Sequence, residues 1–237
     1  MKVFVNWAIE VKGHKMNNPF AHAELTFDKK EKTIITKAEF ENLIEVTTHE
    51  NRWVIYCGEK RNYYKEWLSS AFRLALETGV RTEELVVMKW KDILELEEGV
   101  MVLKINNLKV NRIQTGMDSE NNIRHIPITQ SLRKLLIELG FNEKRGTDEY
   151  IIDRQREELS TKYMMQIISR GFSHYIKLAS SRKIEFKDLR KTYITHMAMA
   201  LGDKTKLFTG HSSDEILKSH YVSSAYLAGN LSDFKMF

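Results

Sequence analysis

Residues Phe186 to Tyr221 read FKDLRKTYITHMAMALGDKTKLFTGHSSDEILKSHY, and the stretch gathers side chains suited to attacking a phosphodiester. Lys187 and Arg190 lie three apart, so on a helix they share a face and can aim their cations at one anion. Arginine is planar, always charged and able to grip two phosphate oxygens at once, whereas lysine is a point charge that can also give up a proton. Tyr221 supplies a phenol that becomes a covalent nucleophile once its proton, held at a resting pKa of roughly 10, is removed or its anion stabilised. His211, behind Gly210, can donate a hydrogen bond to a phosphate oxygen or move a proton.

The segments D-L-R-K-T-Y-I-T-H-M, T-G-H-S-S and S-H-Y-V resemble the second signature box of the tyrosine recombinases, the phage integrase family, which reads roughly H-x-L-R-H-T-F-A-T-H-L, then L-G-H-S, then Y. Thr78-Gly79-Val80-Arg81-Thr82-Glu83-Glu84-Leu85, followed by Met88-Lys89-Trp90 and Asp92-Ile93, resembles the family's first box, T-G-L-R-x-S-E-L and then L-x-W-x-D-I. The resemblance covers nearly the whole chain. It implies that Arg81, Lys187, Arg190 and His211 surround a scissile phosphate in double-stranded DNA. Tyr221 then attacks that phosphate, forms a 3′-phosphotyrosyl bond and frees a 5′-hydroxyl. A second hydroxyl reverses the step, so no cofactor, metal or nucleotide energy is called for. In the family a lysine from the connection between the second and third strands approaches the scissile bond. Lys109 fits that place, with Lys104 as the alternative because the connection is long.

The resemblance also implies a homotetramer on DNA, with room for accessory DNA-bending proteins. One departure concerns Lys187, which stands where the family usually has histidine; a lysine is a poorer proton acceptor unless its pKa falls. The interval from Arg190 to His211 is also slightly short. Two other functions share these residue types: a DNA-binding protein of the same fold that does not cut, and a type IB topoisomerase. Substitution of Tyr221 or of an arginine would mark the first, and none is substituted. The T-G-V-R-T-E-E-L box and the Thr-Gly-His-Ser segment favour the recombinase over the second.

These residues need rigid elements to carry them. Thr36-Lys37-Ala38-Glu39 matches a capping box and opens a helix that turns Phe40, Leu43 and Ile44 inward. Tyr63 to Glu77 carries Trp67, Ala71, Leu74 and Ala75 at helical spacing and ends at Gly79. Arg81 then falls in the turn between two helices, with Thr82 as N-cap of the second. From Trp90 the period becomes that of strands: Ile93 to Leu96, Val100 to Ile105, and Ile123 to Ile128, with Pro127 marking the third as an edge. Asn142 to Asp148 reads as charged loop. Ser131 to Leu139 and Thr161 to Ala179 read as amphipathic helices with core-forming apolar faces. Arg182 and Lys183, just before the second box, are placed to touch a DNA backbone. The fold expected is mainly α (α+β), an integrase-like catalytic domain with a small three-stranded antiparallel sheet.

The domain division expected is residues 21–237 as that catalytic domain and residues 1–20 as a leading helix. The latter holds Val3, Phe4, Trp7, Ala8 and Val11, stops at Gly13 and turns at Asn18-Pro19. It resembles the last helix of the family's N-terminal DNA-clamping domain, and an ordinary leading helix has the same pattern.

Composition narrows the alternatives. The chain of 237 residues has a net charge of +5, which permits an acidic partner without requiring one. Cys57 is the sole cysteine, so no disulfide forms within the chain, and no run of about 18 apolar residues suggests a membrane span. A soluble cytoplasmic protein is expected. The histidines lack the i, i+4 spacing of a zinc pair, and no Gly-rich phosphate loop supports nucleotide hydrolysis. Ser212-Ser213 suits an N-cap for the helix carrying Tyr221 better than a serine nucleophile.

Overall fold

The structure, a computed structural model, describes residues 1–23, 33–96, 99–108, 123–152 and 158–201. Lys109, His211, Tyr221 and the tail beyond it lie outside the described residues. The chain divides into two compact units, Met1–Lys32 and Thr33–Phe237. In the first, α1 (Lys2–Lys12) ends at Gly13, whose φ of 68° lets its N–H bond the Ala8 carbonyl. The Asn18 side chain accepts from the Phe20 N–H at 2.8 Å and donates to the Lys2 carbonyl at 3.0 Å, so the Asn-Pro turn folds back on the helix start. No residue of α1 is buried.

The second unit opens with α2 (Lys37–Val46), capped by the reciprocal Thr36 and Glu39 bonds that the sequence predicts. The apolar patch at Trp53 proves to be half of a hairpin, β1 (Trp53–Tyr56) with β2 (Glu59–Asn62), turned at Cys57 and Gly58, both at positive φ. The charged face of β2 hides it from an apolar-period reading. The next helix, α3 (Leu68–Thr78), starts later than its periodicity predicts, because the Tyr64 N–H bonds the Asn62 side chain at 2.8 Å and holds the preceding residues in a turn. After Gly79 comes α4 (Thr82–Val87), then a 3-10 turn at Trp90–Asp92.

Three strands follow in the order β3-β4-β5, all antiparallel: β3 (Ile93–Glu95), β4 (Met101–Asn106) and β5 (Ile123–Pro127). Pro127 stands on the edge strand, where its missing N–H costs no ladder bond. Helices α5 (Gln130–Glu138) and α6 (Phe141–Lys144) come next, the latter occupying part of the stretch expected as charged loop. Phe141 anchors that short helix by packing its ring 6.3 Å from Trp90.

The long α7 (Thr161–Ala179) and α8 (Phe186–Leu201) complete the described chain. Phe72 of α3, Phe172 of α7 and Phe186 at the start of α8 form an aromatic knot, with centroids 5.3, 5.5 and 6.2 Å apart. Edge-to-face contacts of this kind add to the large apolar burial of each ring. The knot fixes the first turn of α8, and with it the positions of Lys187 and Arg190.

Gly79 sits where α3 meets α8. Its φ is +58°, and a Cβ there would lie 2.1 Å from Cδ1 of the buried Tyr193 ring. We expect Gly79→Ala to lower stability by about 3 kcal/mol, combining left-handed strain with overpacking. Urea denaturation compared with the parent chain measures it.

Candidate active site

The turn after α3 brings Arg81 to the site. Arg81 is itself the N-cap of α4, with extended backbone at φ −72° and ψ 153°, and Thr82 is the first helical residue rather than the cap the sequence suggests. The reason is Glu84, whose carboxylate reaches back to accept from the Arg81 backbone N–H at 2.8 Å. The same carboxylate accepts from the Arg81 guanidinium at 2.8 Å. Arg81 also donates to Asn107 Oδ1 at 3.1 Å, so the last residues before the long β4–β5 connection hold it from a second side.

Glu84 is buried and has a further partner that the sequence did not single out. Arg124 of β5 donates two bonds to it, at 2.6 and 3.2 Å, and the two side chains are 2% and 1% exposed. Strand alternation could have found it, since Arg124 is in phase with the buried Ile126 and so points into the core. Burial pushes the Glu84 carboxyl up, but the bonds from Arg124 and then Arg81 more than reverse this and hold it below the ordinary glutamate range.

Arg190 approaches from α8 and donates to the Gly79 carbonyl at 2.5 Å, two residues from Arg81. Its pKa falls to about 10, first through burial and then through the positive charges of Arg124 and Arg81, with Glu84 acting in the opposite direction. Arg81 and Arg190, far apart in sequence, therefore meet at one corner of the second unit, and Arg190 still stays charged at neutral pH.

Lys187 stands one turn earlier on α8, with its side chain 68% exposed and its ammonium 2.5 Å from Glu185. That pairing raises its pKa. A raised pKa suits a cation that binds phosphate and is the wrong direction for a proton acceptor. Lys104 pairs across the sheet with His125, and alternation puts both on the face opposite Arg124. Burial, and then the charge of Lys104, lowers the pKa of His125.

Between α7 and the start of α8 lies a cavity of about 500 Å³ whose lining includes Thr82, Ser173, Lys177, Lys183, Glu185 and Lys187. Arg182, which also lines it, is bound to Glu39 of α2 by its Nε at 2.7 Å, and this contact drives the Glu39 carboxyl down to about 2. The ion pair therefore ties the loop between α7 and α8 to the α2 N-terminus. Among the described residues, no group of His, Cys, Asp and Glu is placed to hold a metal ion, and no helix is long and apolar enough to cross a membrane.

Residues 33–227 match the profile of the phage integrase family. Comparison with curated proteins finds no match. Among solved structures, a lambda integrase dimer bound to a COC′ core site overlays with a TM-score of 0.59 at 24% identity, covering 91% of this chain and 70% of that one. A lambda integrase tetramer bound to a Holliday junction gives 0.58 at 23% identity, covering 90% and 56%. The Tn1549 transposon integrase in complex with transposon right end DNA gives 0.59 at 19% identity, covering 97% and 75%. The chain thus has the fold of these proteins and spans little more than half of the longer lambda integrase chain.

The lowered pKa of Glu84 has a pH consequence. A carboxylate whose folded pKa lies below its unfolded value stabilises the fold above the ordinary value of 4.5 and loses that contribution as pH falls beneath it. Glu84→Gln strands Arg124 and is expected to cost about 3 kcal/mol at neutral pH. The gap between parent and variant should narrow as pH drops from about 5 toward about 3, read from denaturation midpoints.

Proposed function

Because the chain belongs to the phage integrase family, we propose that it performs site-specific DNA recombination, breaking and rejoining strands through a tyrosyl intermediate. The observation that carries this reading is the meeting of Arg81 and Arg190, one from each signature box, at one corner with an excess of positive charge. Arg81, Arg190, His211 and Lys187 hold the non-bridging oxygens of the scissile phosphate. The Tyr221 oxygen passes its proton to water and bonds the phosphorus, and the bond to the 5′-oxygen breaks. Lys109 supplies the proton that the leaving oxygen needs. The 3′-phosphotyrosyl bond conserves the energy of the broken ester, and a 5′-hydroxyl from another strand attacks it to restore the DNA and free the tyrosine.

The substrate is double-stranded DNA of a mobile element, and the working assembly is a homotetramer on that DNA, aided by DNA-bending proteins. The lambda integrase tetramer on a Holliday junction, which shares this fold, supports that reading. Residues 1–20 serve as the closing helix of a DNA-clamping domain and residues 21–237 as the catalytic domain. A separate compact unit Met1–Lys32 and a profile match beginning at residue 33 are in keeping with a boundary in that region. The reaction belongs in the cytoplasm, where DNA is at hand and a lone exposed Cys57 stays reduced.

A nicked duplex carrying the element's own junction, from which the short cleaved fragment diffuses away, traps the covalent adduct. The parent chain should accumulate protein bound to DNA through denaturing electrophoresis, and Tyr221→Phe should give none. Binding without adduct would identify a non-cleaving DNA-binding protein instead. Lys109→Ala should slow cleavage of normal DNA by about 10²-fold or more, the scale of lost general acid catalysis, and recover on a 5′-bridging phosphorothiolate whose leaving group needs no proton. Recovery with Lys104→Ala instead would move the role to that residue.

The cations of the cavity suit the phosphates that flank the scissile one. A net charge of +5 is small for holding a duplex, so affinity should fall steeply with salt and discriminate weakly among sequences. Replacing Lys177 and Lys183 together by alanine should flatten the salt dependence by about 1 to 2 phosphate contacts. Tight, site-selective binding at physiological salt would show that specificity resides in the catalytic unit.

A further inference from the structure

We propose that Arg124 is a positioning residue that sets the cleavage rate by locking Arg81 through Glu84. The inference rests on the recombinase reading and goes beyond it, since neither signature box contains Arg124. Its geometry is unusual for a residue that only stabilises. The guanidinium is 2% exposed on the core face of an edge strand, and its Nε finds no hydrogen-bond partner among the described residues. Buried donors are nearly always satisfied, and a buried ion pair is often no better for stability than an apolar pair of similar volume. An apolar side chain in phase with Ile126 would serve the core as well.

What Arg124 supplies is a fixed Glu84. Its two parallel bonds use both carboxylate oxygens as a fork, which sets the plane of the carboxylate. The same two oxygens then define where Arg81 can be: Oε2 takes its backbone N–H and Oε1 takes its guanidinium. A lysine in place of Arg124 keeps the charge but loses the fork. The arrangement spans the long connection of the sheet, because Asn107 before it bonds Arg81 and Arg124 after it bonds Glu84. Arg81 is thereby referenced to both β4 and β5, and its guanidinium is set in place before any phosphate arrives. Preorganised charge of this kind is worth most where charge develops in the transition state.

The test is single-turnover cleavage of the nicked junction duplex by the full chain and two variants. Arg124→Lys leaves Glu84 paired with a cation. The double variant Glu84→Gln with Arg124→Met leaves no orphaned charge, and its glutamine still accepts from the Arg81 N–H. Melting temperatures and DNA affinity should stay close to the parent's while cleavage slows, by about tenfold for the lysine variant and up to about 10²-fold for the double variant, as expected for a misplaced phosphate-binding group. The second readout is a duplex with a neutral methylphosphonate at the scissile position, which has no charge for Arg81 to meet. There the deficit should shrink to less than about threefold, because what Arg124 supplies is charge placement. Equal slowing on both substrates would make Arg124 a scaffold residue and overturn the proposal, as would unchanged cleavage of normal DNA. Failure of the parent chain itself to form the adduct would remove the recombinase reading and this inference with it.

Discussion

One buried carboxylate carries the architecture of the site. Glu84 is enclosed by protein and would be expelled or neutralised if it stood alone, since an isolated buried charge is far too costly to keep. Arg124 and Arg81 keep it ionised, and Arg190 lies near enough to feel all three charges. Three guanidiniums around one carboxylate leave an excess of positive charge in a poorly solvated corner. Burial first, and then that excess, lowers the Arg190 pKa to about 10. On the proposed reading a bound phosphate relieves it, so the unfavourable electrostatics of the free protein become affinity for the scissile group.

The rest of the second unit keeps that corner from relaxing. If α3 and α8 could slide apart, Arg190 would leave the Gly79 carbonyl and the charge excess would disperse into solvent. Gly79 prevents this by having no side chain, which lets the Tyr193 ring lie against its α-carbon. The Phe72, Phe172 and Phe186 knot holds the start of α8 from the other side. On the outer edge, Arg182 and Glu39 clamp the loop that leads into α8. Interiors packed at crystal-like density transmit such constraints over several side chains, so residues remote from phosphate chemistry still decide where the arginines sit.

The sequence makes some of this legible and hides the rest for physical reasons. Period and capping place α2, α7 and the three strands, because each depends on local rules: a threonine with a glutamate three later, apolar residues every three to four, alternation in strands. Arg81 and Arg190 stand out because their neighbours spell out two ordered boxes. Arg124 does not, since a lone charged residue in a strand reads as solvent-facing until its phase with Ile126 is weighed against that habit. The hairpin escapes because Glu59, Lys60 and Arg61 carry no apolar signal, and its pairing is set by the backbone turn at Cys57 and Gly58. Thr82 loses the cap to Arg81 because a glutamate at the third helical position can reach back to whichever residue precedes the helix, and hydroxyl preference alone does not decide the matter.

The free site is also held in reserve by weak internal partners. Lys187 rests on Glu185, and Arg190 rests on the Gly79 carbonyl, so two of the cations proposed to hold phosphate have internal partners in the protein alone. The two contacts differ in kind. The Lys187 pair is exposed and screened by solvent, so it is weak enough for a phosphodiester to displace. The Arg190 bond to Gly79 is part-buried and anchors the guanidinium to the turn that carries Arg81. On the proposed reading, phosphate therefore meets an anchored arginine pair and one lysine that exchanges partners, which couples engagement of Lys187 to the arrival of DNA.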